Sequence, residues 1–207
     1  MGQSDIPFSN AARNLGVIFD SRLAFKEQVN KLCQLAYLEI RRIGTVRQHL
    51  SFEDTQTLVS SLLLSRLDYR NALLAGSPQV LLDKIQRVIN CSARLICKAP
   101  KPAHIIPLLY DLHWLPIGSR IKYKIALICF HIVSGTAHPY LFELLQLYYP
   151  RSLRSASDTR IFCVLWMGTR IHSIHRTCDL ELSSSLCQAC VSSFKSKLKT
   201  HLFSTSY

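Results

Sequence analysis

Nucleotidyl chemistry with divalent ions needs carboxylates set side by side, because two metal ions must be held a few ångströms apart. The chain has no Asp-Asp pair. Its adjacent carboxylates are Glu53 and Asp54, which follow Ser51 at the spacing of a capping box, where negative charge complements the first turn of a helix. Thiols and imidazoles offer a second option. Cys187-x-x-Cys190, with Cys163, Cys178, His172 and His175 upstream, has separations at which structural zinc sites are built. His113 and His131 have no Ser, Cys or carboxylate at a recognisable spacing, so they read as packed or capping histidines, and a hydrolase triad has no support. No catalytic residue is assigned to any of these positions.

The positive signal is charge. Twenty-five Lys and Arg stand against thirteen Asp and Glu, and the net +12 suits a polyanionic partner such as nucleic acid better than an acidic substrate, with an anionic membrane surface as the weaker alternative. Nothing calls for a cofactor or a small-molecule substrate. Four of the eight cysteines (Cys33, Cys91, Cys97, Cys129) lie singly in apolar helical patterns and no secretory signal opens the sequence, so reduced thiols in the cytoplasm or nucleus are expected. The apolar run Ile125 to Phe130 is far short of the roughly 18 to 20 residues that cross a bilayer, so no membrane span is expected.

These residues must be positioned by a core, which 207 residues at 48% hydrophobic content can bury. Leu15 to Phe19 is a short β-prone run between Asn14 and Asp20. From Phe25 the period becomes helical: Phe25, Val29, Leu32, Ala36, Ile40 and Ile43 form one stripe, with Lys26, Lys31, Arg41, Arg42 and Arg47 outside it. Ser51 opens a second helix with Leu58, Leu62, Leu63, Leu67 and Leu74 facing inward and a stop at Gly76. A third, Gln79 to about Lys98, buries Leu82, Ile85, Val88, Ile89, Leu95 and Ile96 and exposes Lys84, Arg87, Arg94 and Lys98 before Pro100. Ile105 to Leu112 is a short helix. The corner Trp114-Leu115-Pro116 then leads into what reads as the central buried helix, starting near Arg120 and ended by Gly135, with Ile121, Ile125, Ile128 and Ile132 on one face. Tyr140 to Leu147 is read as a last brief helix before the pattern fades after Pro150.

The stretch LHWLPIGSRIKYKIALICFHIVSGTAHPYL, Leu112 to Leu141, resembles the region downstream of the polymerase core in jockey-like non-LTR (LINE-type) retrotransposon reverse transcriptases. Three more stretches resemble the same family in the same order: RNLGVIFDSRLAFKEQV from Arg13, LDYRNALLAG from Leu67 and SSFKSKLKTHLF from Ser192. Two departures are Arg70, where the family pattern has Cys, and His138, where it has Pro. The resemblance implies a primer-grip-like end of the palm at Asn14, Leu15, Gly16 and Val17. It also implies a helical thumb that tracks a template–primer duplex through its backbone. Arg41, Arg42, Arg47, Lys84, Arg87, Arg94, Lys98 and Lys101 are its candidate contacts. For any one of them a solvated helix face is the simpler reading, whereas the collective excess favours a polyanion.

The resemblance puts the family's catalytic aspartates upstream of Met1 and so implies a non-catalytic fragment of an RNA-directed DNA polymerase, without the fingers and most of the palm. His172 to Cys190 departs from the family text, but shifted by one nucleotide those codons can encode IPYIGPVIWNSLPLSVRHA, the expected segment. This points to two compensating frameshifts, under which the Cys/His set would be an accident of translation and no metal site is expected; the nucleotide sequence of the gene decides this.

The expected architecture is mainly α: a helical, thumb-like bundle preceded by a short β-strand or hairpin remnant and followed by a poorly ordered tail. Its parts are 1–22 (palm remnant), 23–150 (thumb and post-thumb), 151–191 (irregular, frameshifted) and 192–207 (short basic helix). Sequence-non-specific binding of RNA or DNA duplex is the first functional expectation. An all-helical protein-interaction module, docking through the apolar face a palm would cover, is the second.

Overall fold

A computed structural model describes residues 10–143, 145–148, 161–164 and 191–207. The described chain is mainly helical, with a two-stranded antiparallel hairpin near the N-terminus. It clusters into two compact units, Met1–Tyr69 with Ser77–Ala103, and Arg70–Gly76 with His104–Tyr207. The sequence reading treats 23–150 as one helical domain. The division falls where Pro100 and Pro102 stop a helix, and the short segment Arg70–Gly76 joins the later unit because its 3-10 turn Asn71–Leu74 packs against a helix there.

In the first unit, strands β1 (Ala11–Asn14) and β2 (Val17–Asp20) pair with Asn14 opposite Val17, so Leu15 and Gly16 alone make the turn. Both have positive φ, 48° and 84°. This is the conformation of the two-residue hairpin turn whose twist matches its strands. The run expected as one strand from Leu15 therefore begins at Val17, and its partner strand is Ala11–Asn14. The hairpin is tied to helix α1 (Lys26–Val46) by Ile18 N–H donating to Gln28 Oε1 at 3.0 Å, and Phe19 packs edge-on to Phe25.

Of the expected stripe Phe25, Val29, Ala36 and Ile43 are buried and Leu32 and Ile40 half-buried, with Cys33 of α1 buried beside them. Ser51 caps α2 (Phe52–Val59), accepting from Asp54 N–H at 3.1 Å. The helical path continues through a π turn, Ser60–Leu64, into α3 (Ser65–Asp68). That wider turn rotates the stripe, so Val59 and Leu64 are buried beside Leu63 and Leu67 while Leu58 and Leu62 are only half-buried. The most enclosed helix is α4 (Gln79–Cys97), whose Ile85, Val88, Ile89, Ser92, Ala93 and Ile96 are fully buried. Ser92 is satisfied within the helix, its hydroxyl donating to Val88 C=O at 2.8 Å.

In the second unit, α5 (Ile105–Asp111) leads through buried Trp114 and Leu115 into α6 (Ile117–Val133). α6 starts immediately after Pro116, whose fixed φ of −58° sets the entry, rather than near Arg120. It ends in a Schellman motif with Gly135 at φ 70° and Thr136 N–H on His131 C=O. Ile121 and Ile132 are buried but Ile128 is exposed, so α4 rather than α6 is the most enclosed helix of the chain. α8 (Val191–Ser206) seats Phe194, Leu198 and Leu202 against Leu115, Ala126 and Phe130 of the α6 segment. Helix α7 (Tyr140–Glu143) is one turn long. The residues after it, expected to stay helical to Leu147, form strand β3 (Leu145–Tyr148), antiparallel to β4 (Ile161–Val164). The sequence alternates there, which suits a strand. The expectation of an irregular 151–191 otherwise lies outside the described residues, apart from Val191 in α8.

Leu15 is an exposed leucine in the left-handed region, which favours Asn or Gly. Leu15→Asn is expected to stabilise the chain by about 0.5–1 kcal/mol, read as a higher urea midpoint at unchanged slope.

Candidate nucleic-acid interface

Positions 84, 87, 91 and 94 recur at i, i+3, i+7 and i+10, so Lys84, Arg87, Cys91 and Arg94 lie along one side of α4, and Lys98 follows at its C-terminal end. That side lies away from the buried stripe of Ile85, Val88, Ser92 and Ile96. The stripe runs about 21 Å at 1.5 Å per residue. α1 lies beside it in the same direction. Lys84 Nζ donates to Asn30 Oδ1 at 2.8 Å, the Tyr37 phenol meets Cys91, and the carbonyls of Leu95 and Ile96 reach Arg47 at the far end. Asn30, Tyr37 and Arg41 share one face of α1, which places Arg41 next to the α4 stripe.

The eight basic candidates divide into distinct environments. Arg41, Arg87, Lys98 and Lys101 are exposed. Lys84 and Arg94 are half-buried and tied, Lys84 to Asn30 and Arg94 by Nη2 to Ala103 C=O at 3.3 Å. Arg42 points to a different side of α1, where it lies 3.3 Å from Glu39, which also meets Arg66 of α3 at 3.6 Å. Such exposed pairs add little stability.

Arg47 has to be corrected. It is 8% exposed, and its guanidinium donates to the carbonyls of Leu95 (2.9 Å), Ile96 (2.6 Å) and Leu50 (2.8 Å). Three charge-assisted bonds inside the fold leave it no role against a phosphate. The sequence did carry a signal, because position 47 continues the inward stripe Ala36, Ile40, Ile43 at i+4.

Lys98 occupies the C′ position of α4 at φ 50°, with Ala99 N–H on Arg94 C=O at 3.0 Å closing the Schellman motif. The left-handed backbone turns it out of the helix. Between α1 and α4, burial pushes the Tyr37 phenol up, the neighbouring Cys91 and Cys33 thiols add to this, and Arg87 opposes it. Burial likewise pushes the Cys33 thiol up against the pull of Lys84. Cys33 is thus a packed thiol rather than an activated one.

The primer-grip-like residues form the hairpin tip. Leu15 C=O accepts from the Tyr69 hydroxyl at 3.0 Å, and a Cβ added at Gly16 would meet the Tyr69 ring, so this tip is docked on the end of α3. Among the described residues no group of three or more Cys, His, Asp or Glu is placed to hold a metal ion, and no helix is long and apolar enough to cross a membrane. Cys163 lies on β4, whereas Cys178, Cys187, Cys190, His172 and His175 lie outside the described residues. The chain matches no family profile, no curated protein and no solved structure.

Two substitutions separate fold from surface. Arg47→Ala strands three carbonyls and is expected to cost about 2–4 kcal/mol in thermal or urea unfolding. Lys98→Gly relieves a left-handed non-glycine residue, and it is expected to raise stability by about 1 kcal/mol while weakening duplex binding. Stability and binding moving together would remove Lys98 from the interface.

Proposed function

We propose that this chain derives from the region after the polymerase core of a LINE-type reverse transcriptase and that its first unit grips nucleic-acid duplex through the backbone, without reading sequence. The observation that carries the reading is the α4 stripe with Arg41 beside it: Arg41, Arg87, Lys98 and Lys101 are exposed, and α4 carries a single carboxylate, Asp83, held by Gln79 at 2.9 Å. Over about 21 Å such a stripe spans roughly six phosphates of one strand at 3.4 Å axial rise. The family origin rests on the four sequence stretches given above. With no adjacent aspartates to chelate two ions, the reading makes the chain a binder and not a polymerase. Its place of action would be the cytoplasm or nucleus.

A second reading, a protein-interaction module, is favoured by Leu35 and Leu38, each 45% exposed on the side of α1 opposite its packed stripe.

Affinity for short duplexes is expected to vary little with sequence and to fall with salt at a log–log slope of about −3 to −4 for four contacts. Arg41→Ala, Arg87→Ala and Lys98→Ala together should flatten that slope by about 2–3. A folded triple variant with unchanged slope would leave the stripe a solvated face and give the lead to the interaction module.

Primed template, deoxynucleotides and magnesium or manganese should yield no extended primer with the purified chain. Metal-dependent extension by a clean preparation would overturn the non-catalytic reading.

A further inference from the structure

The second unit carries a cationic surface of its own. α6 and α8 together hold Arg120, Lys122, Lys124, Lys195, Lys197 and Lys199 and contain no Asp or Glu. The two helices run antiparallel. Phe130 stacks on Phe194 at one end, with centroids 4.0 Å apart and planes at 12°, and Ser119 Oγ lies 2.7 Å from Ser206 Oγ at the other.

Four rings meet at that second end. Phe203 is their centre, 5.1 Å from Tyr110, 5.6 Å from His113 and 5.0 Å from Tyr207, with interplanar angles of 41°, 47° and 60°. Tyr110 and Tyr207 meet edge to face at 6.0 Å. Tilted and edge-to-face contacts of this kind hold the rings together. Tyr110 is 52% exposed and His113 is exposed, while Phe203 and Tyr207 are half-buried beneath them. The support is fixed: the Tyr207 hydroxyl donates to Trp114 C=O, Arg120 Nε donates to Leu115 C=O at 2.7 Å, and His113 Nδ1 lies 3.0 Å from Tyr110 C=O.

Cations flank the rings on the same helix faces. Lys195, Lys199 and Phe203 follow one another at i, i+4 and i+8 along α8, and Arg120 lies close enough to Tyr207 to act on its phenol. Asp111 is the carboxylate next to Tyr110 in sequence on α5. Exposed π faces beside a line of cations are what a single strand requires, since every unpaired base offers a face to stack and every linkage a phosphate to neutralise. A duplex keeps its bases stacked on one another and uses the cations alone. An acidic peptide likewise has no use for the ring faces.

We propose that Tyr110 and His113, seated on Phe203 and flanked by Lys199 and Arg120, form a stacking platform for unpaired bases, a single-stranded nucleic-acid site separate from the duplex grip of α4.

The test uses the full chain with labelled 12-mers: oligo-dT, oligo-rU, an abasic strand of equal charge and a duplex. Both base-bearing strands are expected to bind roughly tenfold or more tighter than the abasic strand, and the tighter of the two names the natural sugar. Tyr110→Leu with His113→Gly should erase that margin and leave duplex affinity and its salt slope unchanged, whereas Tyr110→Phe, which keeps a ring, should retain it. His113 sits at φ 55°, a position that favours glycine, so its replacement does not threaten the fold. Base-bearing and abasic strands bound equally, an unchanged margin in the double variant, or poly-glutamate competing as well as oligo-dT would each overturn the platform. The duplex arm reads α4 and the strand arms read these rings, so the two proposals fail separately.

Discussion

The first unit depends on one buried cation. α1 and α4 lie side by side in the same direction, so their C-terminal ends, each with a partial negative charge from unpaired carbonyls, come to the same place. Without a positive group there, the arrangement would concentrate negative charge and leave carbonyls unsatisfied in the interior. Arg47 meets both needs, because its planar fork reaches Leu95 and Ile96 of α4 and Leu50 of its own segment. A lysine offers a single ammonium in place of that fork. The cap also fixes the lengthwise setting of α1 on α4, the same setting that pairs Asn30 with Lys84 and Tyr37 with Cys91 and so brings Arg41 level with the later part of the α4 stripe. The surface proposed to meet nucleic acid thus follows from an arginine that never touches it.

Where the sequence was legible, a side chain imposed its structure locally. Ser51 with Asp54 and Gly135 each mark a helix end that the structure keeps, and Phe25, Val29, Ala36 and Ile43 of the expected α1 stripe are buried with Leu32 and Ile40 half-buried. It misled where a tertiary arrangement overrode local preference. The π turn at Ser60–Leu64 has no mark in SSLLL, yet it changes which leucines face inward. Along α6 the apolar pattern is so broad that it does not say which flank stays open, and the structure leaves Ile128 outside.

The same division runs through the candidate sites. The α4 stripe was visible as charge at helical spacing, because all its members sit on one element. The ring cluster was not, since Tyr110 and His113 on one side and Phe203 and Tyr207 on the other are brought together only by the antiparallel seating of α8 on α6. Read alone, His113 suggested a packed or capping histidine. Its ring does hydrogen-bond a local carbonyl, and it is exposed as well.

Leu15, Lys98 and His113 share a constraint that separates strain from function. All three are non-glycine residues at positive φ in turns where glycine is easier, at 48°, 50° and 55°. Strain of this kind often collects at functional sites. Leu15, however, has an exposed side chain, and what the fold uses is its backbone carbonyl, which accepts from the Tyr69 hydroxyl. A strained turn is therefore not a marker of a site in this chain. Lys98 and His113 stand out for what surrounds them: one ends a line of cations and the other borders a cluster of partly exposed rings. At both, the left-handed turn carries the side chain clear of its helix, which makes the strain a means of presentation where the neighbouring chemistry has a use for it.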